Sequence, residues 1–171
     1  MLKFVDYDIV FQEVPNEVSL AINLSLCPNN CEGCHSAFLK GDVGEELSTG
    51  RLDEIIKKYE GDITCVSFMG GDGDVEALAR LAAYVKQNFS IKVAWYSGKE
   101  KLPEEISLVD FDYIKVGPYK KDYGPLNNKS TNQRMYRMSG GEIVEDVTSL
   151  FWICSRFVVG NFFRLNVITI N

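Results

Sequence analysis

The segment that most constrains this chain is a strand pattern that runs straight into closely spaced cysteines. From Val18 to Leu26 the chain reads VSLAINLSL, with Val18, Leu20, Ile22, Leu24 and Leu26 alternating with small or polar residues. Successive side chains of a strand point to opposite faces, so this period of two predicts a strand with one apolar face. The pattern meets Cys27-Pro28-Asn29-Asn30, where a proline and two asparagines end regular pairing and open a loop. Cys31 and Cys34 follow, so a C-x3-C-x2-C spacing lies just past the strand's C-terminal end.

Three thiolates on one short loop suit three corners of an iron–sulfur cube, whose usual ligands are cysteines. The fourth iron then keeps an open position for a substrate, as catalytic metal sites do. Gly33 lets the backbone bend tightly beside such a cube, and Pro28 pre-sets the first turn of the loop. The competing readings are a zinc knot or three unconnected core thiols. Structural zinc takes four ligands, commonly as two pairs. The nearby fourth donor is His35, the chain's one histidine, and its adjacency to Cys34 strains common chelation. Ligand count and spacing favour a 4Fe–4S cluster with Cys27, Cys31 and Cys34 as metal ligands.

Downstream, RLDEIIKKYEG carries Leu52, Ile55, Ile56 and Tyr59 at helical spacing, with Gly61 placed as a C-terminal cap. ITCVSFM, from Ile63 to Met69, reads as a buried strand that stops at Gly70-Gly71-Asp72-Gly73. Asp74 is placed to cap a second helix whose inward face is Val75, Leu78, Leu81, Ala82 and Val85. IKVAWYS, closed by Gly98, and FDYIKV, closed by Gly117-Pro118, complete a series of four strands.

Strands separated by helices or loops of this length imply parallel pairing with right-handed crossovers. A complete eightfold barrel takes about 250 residues. The expectation is therefore an α/β fold, a partial TIM-like βα barrel with a mostly parallel sheet. Chemistry in such folds gathers beyond the C-terminal strand ends. The cysteine loop, the Gly70–Gly73 turn, Ser97-Gly98 and Lys115-Val116-Gly117 all fall there. Each also has a plain structural reading: a strand-to-helix turn at Gly70–Gly73, a simple chain reversal at Ser97-Gly98, a solvated rim charge at Lys115. Cys65 lies inside a buried-strand pattern and Cys154 in an apolar run, where thiols pack as small hydrophobes.

The 171 residues suffice for one domain with a real core. A net charge of −6 argues against nucleic acid as a partner, because phosphate binding needs a clustered excess of Lys and Arg. No apolar run reaches the roughly 20 residues that span a bilayer. The first fifteen residues carry Asp6, Asp8 and Glu13 and read as no secretory signal, so a cytoplasmic location is expected. In that compartment clustered cysteines mean metal or catalysis sooner than disulfides. Residues 153–171 turn abruptly apolar and β-branched, a tail without an assigned role beside a domain at 1–152.

CPNNCEGCHS on the loop after a first parallel strand resembles the signature of the radical S-adenosylmethionine (SAM) superfamily. Many members carry an aromatic residue just before the last cysteine, where this chain has Gly33. Gly70-Gly71-Asp72 resembles the superfamily's Gly-Gly-Glu motif, with a shorter carboxylate. Within the superfamily the cysteine segment is similar to the activating proteins of anaerobic (class III) ribonucleoside-triphosphate reductase. DYIKVGPY, from Asp112 to Tyr119, and Thr131-Asn132-Gln133-Arg134 resemble the same subfamily, although a polar loop leading into a hairpin strand explains the second segment equally. The resemblance implies a cluster held by Cys27, Cys31 and Cys34 and SAM lined by Gly33, Cys34, His35, Gly70, Gly71 and Asp72, with Ser97 and Lys115 in reach. It implies reductive cleavage of SAM and a glycyl radical raised on the reductase large subunit, fed by a flavodoxin- or ferredoxin-type electron donor. Two other outcomes fit the first two motifs: another small radical SAM enzyme, such as a deazapurine-forming synthase or a different glycyl-radical activase, or a non-catalytic metal-binding module.

Overall fold

A computed structural model describes residues 1–152; the apolar tail at 153–171 and Cys154 lie outside the described residues. The chain runs β1 (Lys3–Val10), β2 (Ser19–Leu24), a short β3 (Glu45–Glu46), α1 (Thr49–Lys58), β4 (Cys65–Met69), α2 (Val75–Asn88), β5 (Lys92–Tyr96), β6 (Tyr113–Val116), β7 (Arg134–Ser139) and β8 (Glu142–Asp146). All eight strands join one sheet in the order β3-β1-β2-β4-β5-β6-β7-β8.

The four strands read as a parallel set are parallel: Leu20 pairs with Val66, Val66 with Val93, and Ala94 with Tyr113. The expectation of a partial TIM-like βα barrel with a mostly parallel sheet does not hold. The sheet is mixed and open, with antiparallel pairs on both flanks: β1 against β2 and β3, and β7 against β6 and β8. The described residues hold two α-helices, of 10 and 14 residues. The physical reason lies in the connections. An amphipathic helix between strands carries the chain back for a parallel pair, and helices stand only before β4 and before β5. The connection from β5 to parallel β6 has no α-helix, and at both flanks the strands pair antiparallel, so the barrel's repeating unit is lost towards each edge.

Alternation along the parallel strands serves two cores. Leu20, Ile22, Val66, Phe68, Val93, Trp95 and Ile114 face α1 and α2, meeting Leu52, Ile55, Leu78, Leu81 and Val85 in one cluster. Cys65, Ala94, Tyr113 and Met135 point the other way, into a smaller cluster closed by Val14, Leu126, Val147 and Phe151. Burial on both sides explains why these strands read as nearly continuous apolar runs. Asp74 caps α2 as expected, its Oδ1 accepting the Ala77 N–H at 3.0 Å. Helix α1 stops earlier than Gly61, with Tyr59 as its C-cap, and Gly61 serves a left-handed turn beyond it. Among the described residues, no helix is long and apolar enough to cross a membrane.

Candidate metal centre

The cysteine loop leaves β2 through Leu26, which sits in the left-handed region at φ 59°. The next segment is tied to its own return path: Leu26 N–H donates to the Gly41 carbonyl (3.2 Å) and Cys27 N–H to that of Leu39 (3.0 Å). Leu39 is buried and anchors a 3₁₀ turn, Ala37–Lys40, that closes the loop. Within it, Cys34 N–H donates to the Cys31 carbonyl at 3.3 Å, with Gly33 at φ 73°. That is a tight turn whose third residue needs positive φ, the place where glycine costs least. The spacing of the last two cysteines is thus the length of one β-turn.

All three thiols are free and half-buried. Among the described residues, no three His, Cys, Asp or Glu side chains converge on a single-ion site. A cube sets less demand for convergence, because each thiolate takes a different iron. Three free sulfurs on one loop fit the donor set of a 4Fe–4S cluster.

The four rim segments meet. Asp72, on the turn after β4, gathers three of them: its Oδ2 accepts from Asn29 Nδ2 (2.5 Å) and Gly98 N–H (2.8 Å), and its Oδ1 from Ser97 Oγ (2.6 Å). Lys115, at the end of β6, is 7% exposed, far from the solvated rim charge its sequence position allowed. Its ammonium donates to the carbonyls of Gly117 (2.6 Å) and Ser97 (3.3 Å). Burial pulls the Lys115 pKa down to about 8, opposed by the nearby Cys31 and Asp72.

The paired glycines are built into the scaffold. Gly70 (φ 112°) gives its carbonyl to the Trp95 indole N–H at 2.8 Å. Gly71 (φ 97°) turns its Cα into the core, where a Cβ would stand 3.1 Å from a Leu24 methyl and 3.2 Å from both methyls of Leu78. Its carbonyl accepts the Asp74 N–H at 3.1 Å. His35 is exposed and lies against the Tyr119 ring, centroids 5.9 Å apart. The Thr131–Arg134 segment stands behind the far wall: Asn132 Nδ2 donates to the Pro118 carbonyl (2.9 Å), and the Gln133 backbone backs Gly117 so closely that a Cβ there would lie 2.9 Å from Gln133 Cα. Arg134 donates to the Thr131 and Gln133 carbonyls, bracing its own loop.

Between the cysteine loop and this wall opens a cleft of about 790 Å³, lined by Asn29, Cys31, Gly98, Lys99, Tyr119 and Tyr123 among others. Asn29 and Tyr119 were not singled out by the sequence. Asn29 reads as a turn former, and only the fold brings it to Asp72, 43 positions away. Tyr119 lies within a segment whose resemblance pointed to the site without assigning it a contact.

A family model described as a 4Fe-4S single cluster domain matches residues 18–136, from the start of β2 into β7, more than two thirds of the chain. No curated protein and no solved structure matches it. The matched span begins with the strand that delivers the three cysteines and ends with the strand behind the far wall of the cleft, so the chain belongs to the 4Fe-4S single cluster domain family.

Proposed function

We propose that this protein is a radical SAM activase: Cys27, Cys31 and Cys34 hold a 4Fe–4S cluster, and SAM binds beside it in the cleft. The observation that carries the reading is the juxtaposition of a three-cysteine loop, which leaves one iron without a protein ligand, with a cleft that reaches Cys31. When bound and reduced, the cluster supplies one electron to SAM, which yields methionine and a 5′-deoxyadenosyl radical. The chain's own part is to hold the reactants in line and to keep water away. Lys115 braces the Ser97 and Gly117 carbonyls, each next to a residue that lines the cleft (Gly98, Pro118), and the Tyr119 ring lies against Gly33 and His35. The substrate is the glycyl-radical site of an anaerobic ribonucleotide reductase, reached through the open side of the cleft, with a flavodoxin- or ferredoxin-type donor as reductant.

One observation favours a second reading, an iron–sulfur module without SAM chemistry. The Asp72 carboxylate and the Gly70 and Gly71 carbonyls already have protein partners. The test is anaerobic: reconstitute with iron and sulfide, reduce with dithionite, add SAM and quantify 5′-deoxyadenosine. Product from wild type and none from Cys31→Ala supports the activase, and the reductase is then added to look for a glycyl radical. A loaded, reducible cluster that leaves SAM intact rejects it in favour of the module.

A further inference from the structure

We infer that Asn29 donates a hydrogen bond to the sulfur of Cys27 and that Asp72 is the positioning residue that holds it there, so that this pair sets the reduction potential of the cluster. The inference rests on the reading that Cys27 is a cluster ligand; it does not depend on SAM.

The geometry leaves little freedom. An ionised carboxylate only accepts hydrogen bonds. Asp72 Oδ2 lies 2.5 Å from the terminal atom of the Asn29 side chain, so that atom is the amide nitrogen and the amide cannot be flipped. The same nitrogen lies 3.7 Å from Cys27 Sγ, within reach for its second N–H and a sulfur acceptor. One N–H is therefore spent on Asp72 and the other is aimed at the thiol. The remaining donors fix Asp72 in turn: Ser97 Oγ on Oδ1 and Gly98 N–H on Oδ2. Gly98 is glycine for the same reason, since a Cβ would approach Asn29 Cγ to 2.8 Å. The amide is thus clamped from the ends of β4 and β5 and presented to the first cysteine.

Hydrogen bonds to cluster sulfurs are among the factors that set the potential. A donor at Cys27 favours the reduced cluster, which carries the extra negative charge. A structural tether alone would hold the loop without moving the potential.

The experiment is a potentiometric titration of the reconstituted protein, followed by electron paramagnetic resonance, on wild type, Asn29→Leu, Asp72→Ala and the double variant. Leucine keeps the branched shape of asparagine and removes the donor. We expect Asn29→Leu to shift the midpoint downward at full iron content, and to shift nothing in the Asp72→Ala background, where no acceptor remains to aim the amide. An unchanged midpoint in loaded Asn29→Leu overturns the inference. An equal shift in both backgrounds overturns the role of Asp72. Should a variant fail to load, the wild-type protein decides: with the asparagine side-chain nitrogen isotopically labelled, electron–nuclear double resonance of the reduced cluster shows a coupled nitrogen, and its absence overturns the inference. Full loading of Cys27→Ala would remove the ligand reading beneath it. A shifted midpoint in a protein that leaves SAM intact would keep the inference and remove the proposed activity.

Discussion

Replacing Gly71 with alanine tests whether the glycine pair is there for backbone geometry and packing. At φ 97° an L-residue carries a backbone penalty of about 1–2 kcal/mol. The added Cβ would meet three methyls of Leu24 and Leu78 at 3.1–3.2 Å, and both leucines are fully buried. Such overpacking typically costs about 1–3 kcal/mol. The sum, about 2–5 kcal/mol, is a large part of a domain's usual 5–15 kcal/mol. Gly61→Ala supplies the control: its φ is 91°, but nothing stands within 4 Å of its Cβ position, so only the backbone penalty applies. Urea unfolding under anaerobic conditions reads both. With a slope of about 2 kcal/mol per molar, Gly71→Ala should lower the midpoint by about 1–2.5 M and Gly61→Ala by clearly less, with slopes unchanged. Equal losses in the two variants would refute the crowding, and a negligible loss in both would refute the backbone argument.

Three further outcomes follow from the same structure. Burial pushes the Cys65 thiol from an ordinary 9.0 up to about 12, so above pH 9 the unfolded chain loses this proton while the folded one keeps it. Stability should fall from about pH 9 towards pH 12, and Cys65→Ala should flatten the onset of that fall in urea midpoints measured across the range; an identical slope in both proteins would contradict the burial. Trp95→Phe strips the donor from the Gly70 carbonyl and leaves a void at a fully buried position, and should cost about 2–4 kcal/mol in the same assay. Arg134→Ala removes two bonds to nearby carbonyls and should cost about 1 kcal/mol with iron content unchanged, whereas loss of the cluster would place Arg134 in the site.

Much of the site was legible because its signals are local. A period of two, a proline with two asparagines, and three cysteines within eight residues depend only on neighbours in the chain, and they located the strand and the cysteine loop that follows it. The parallel order of β2, β4, β5 and β6 was legible as well: amphipathic helices carry the crossovers before β4 and β5, and a long connection carries the one before β6. The antiparallel flanks were not. Whether β1 and β7 extend a barrel or fold back as hairpins depends on pairings with strands that the local pattern does not name.

The same division runs through the side chains. Lys115 looked like a rim charge because lysine is rarely buried, yet neighbouring carbonyls at Ser97 and Gly117 make burial tolerable by satisfying its donors. Asp72 looked like a ligand for a bound molecule, yet three of its roughly four acceptor sites are taken by Asn29, Ser97 and Gly98. The amino-acid order alone determined which atoms could bind iron and how far apart along the chain they stand. Only the tertiary structure decided which polar groups are spent on each other, because hydrogen-bond partners are chosen by proximity in space among groups up to 43 positions apart.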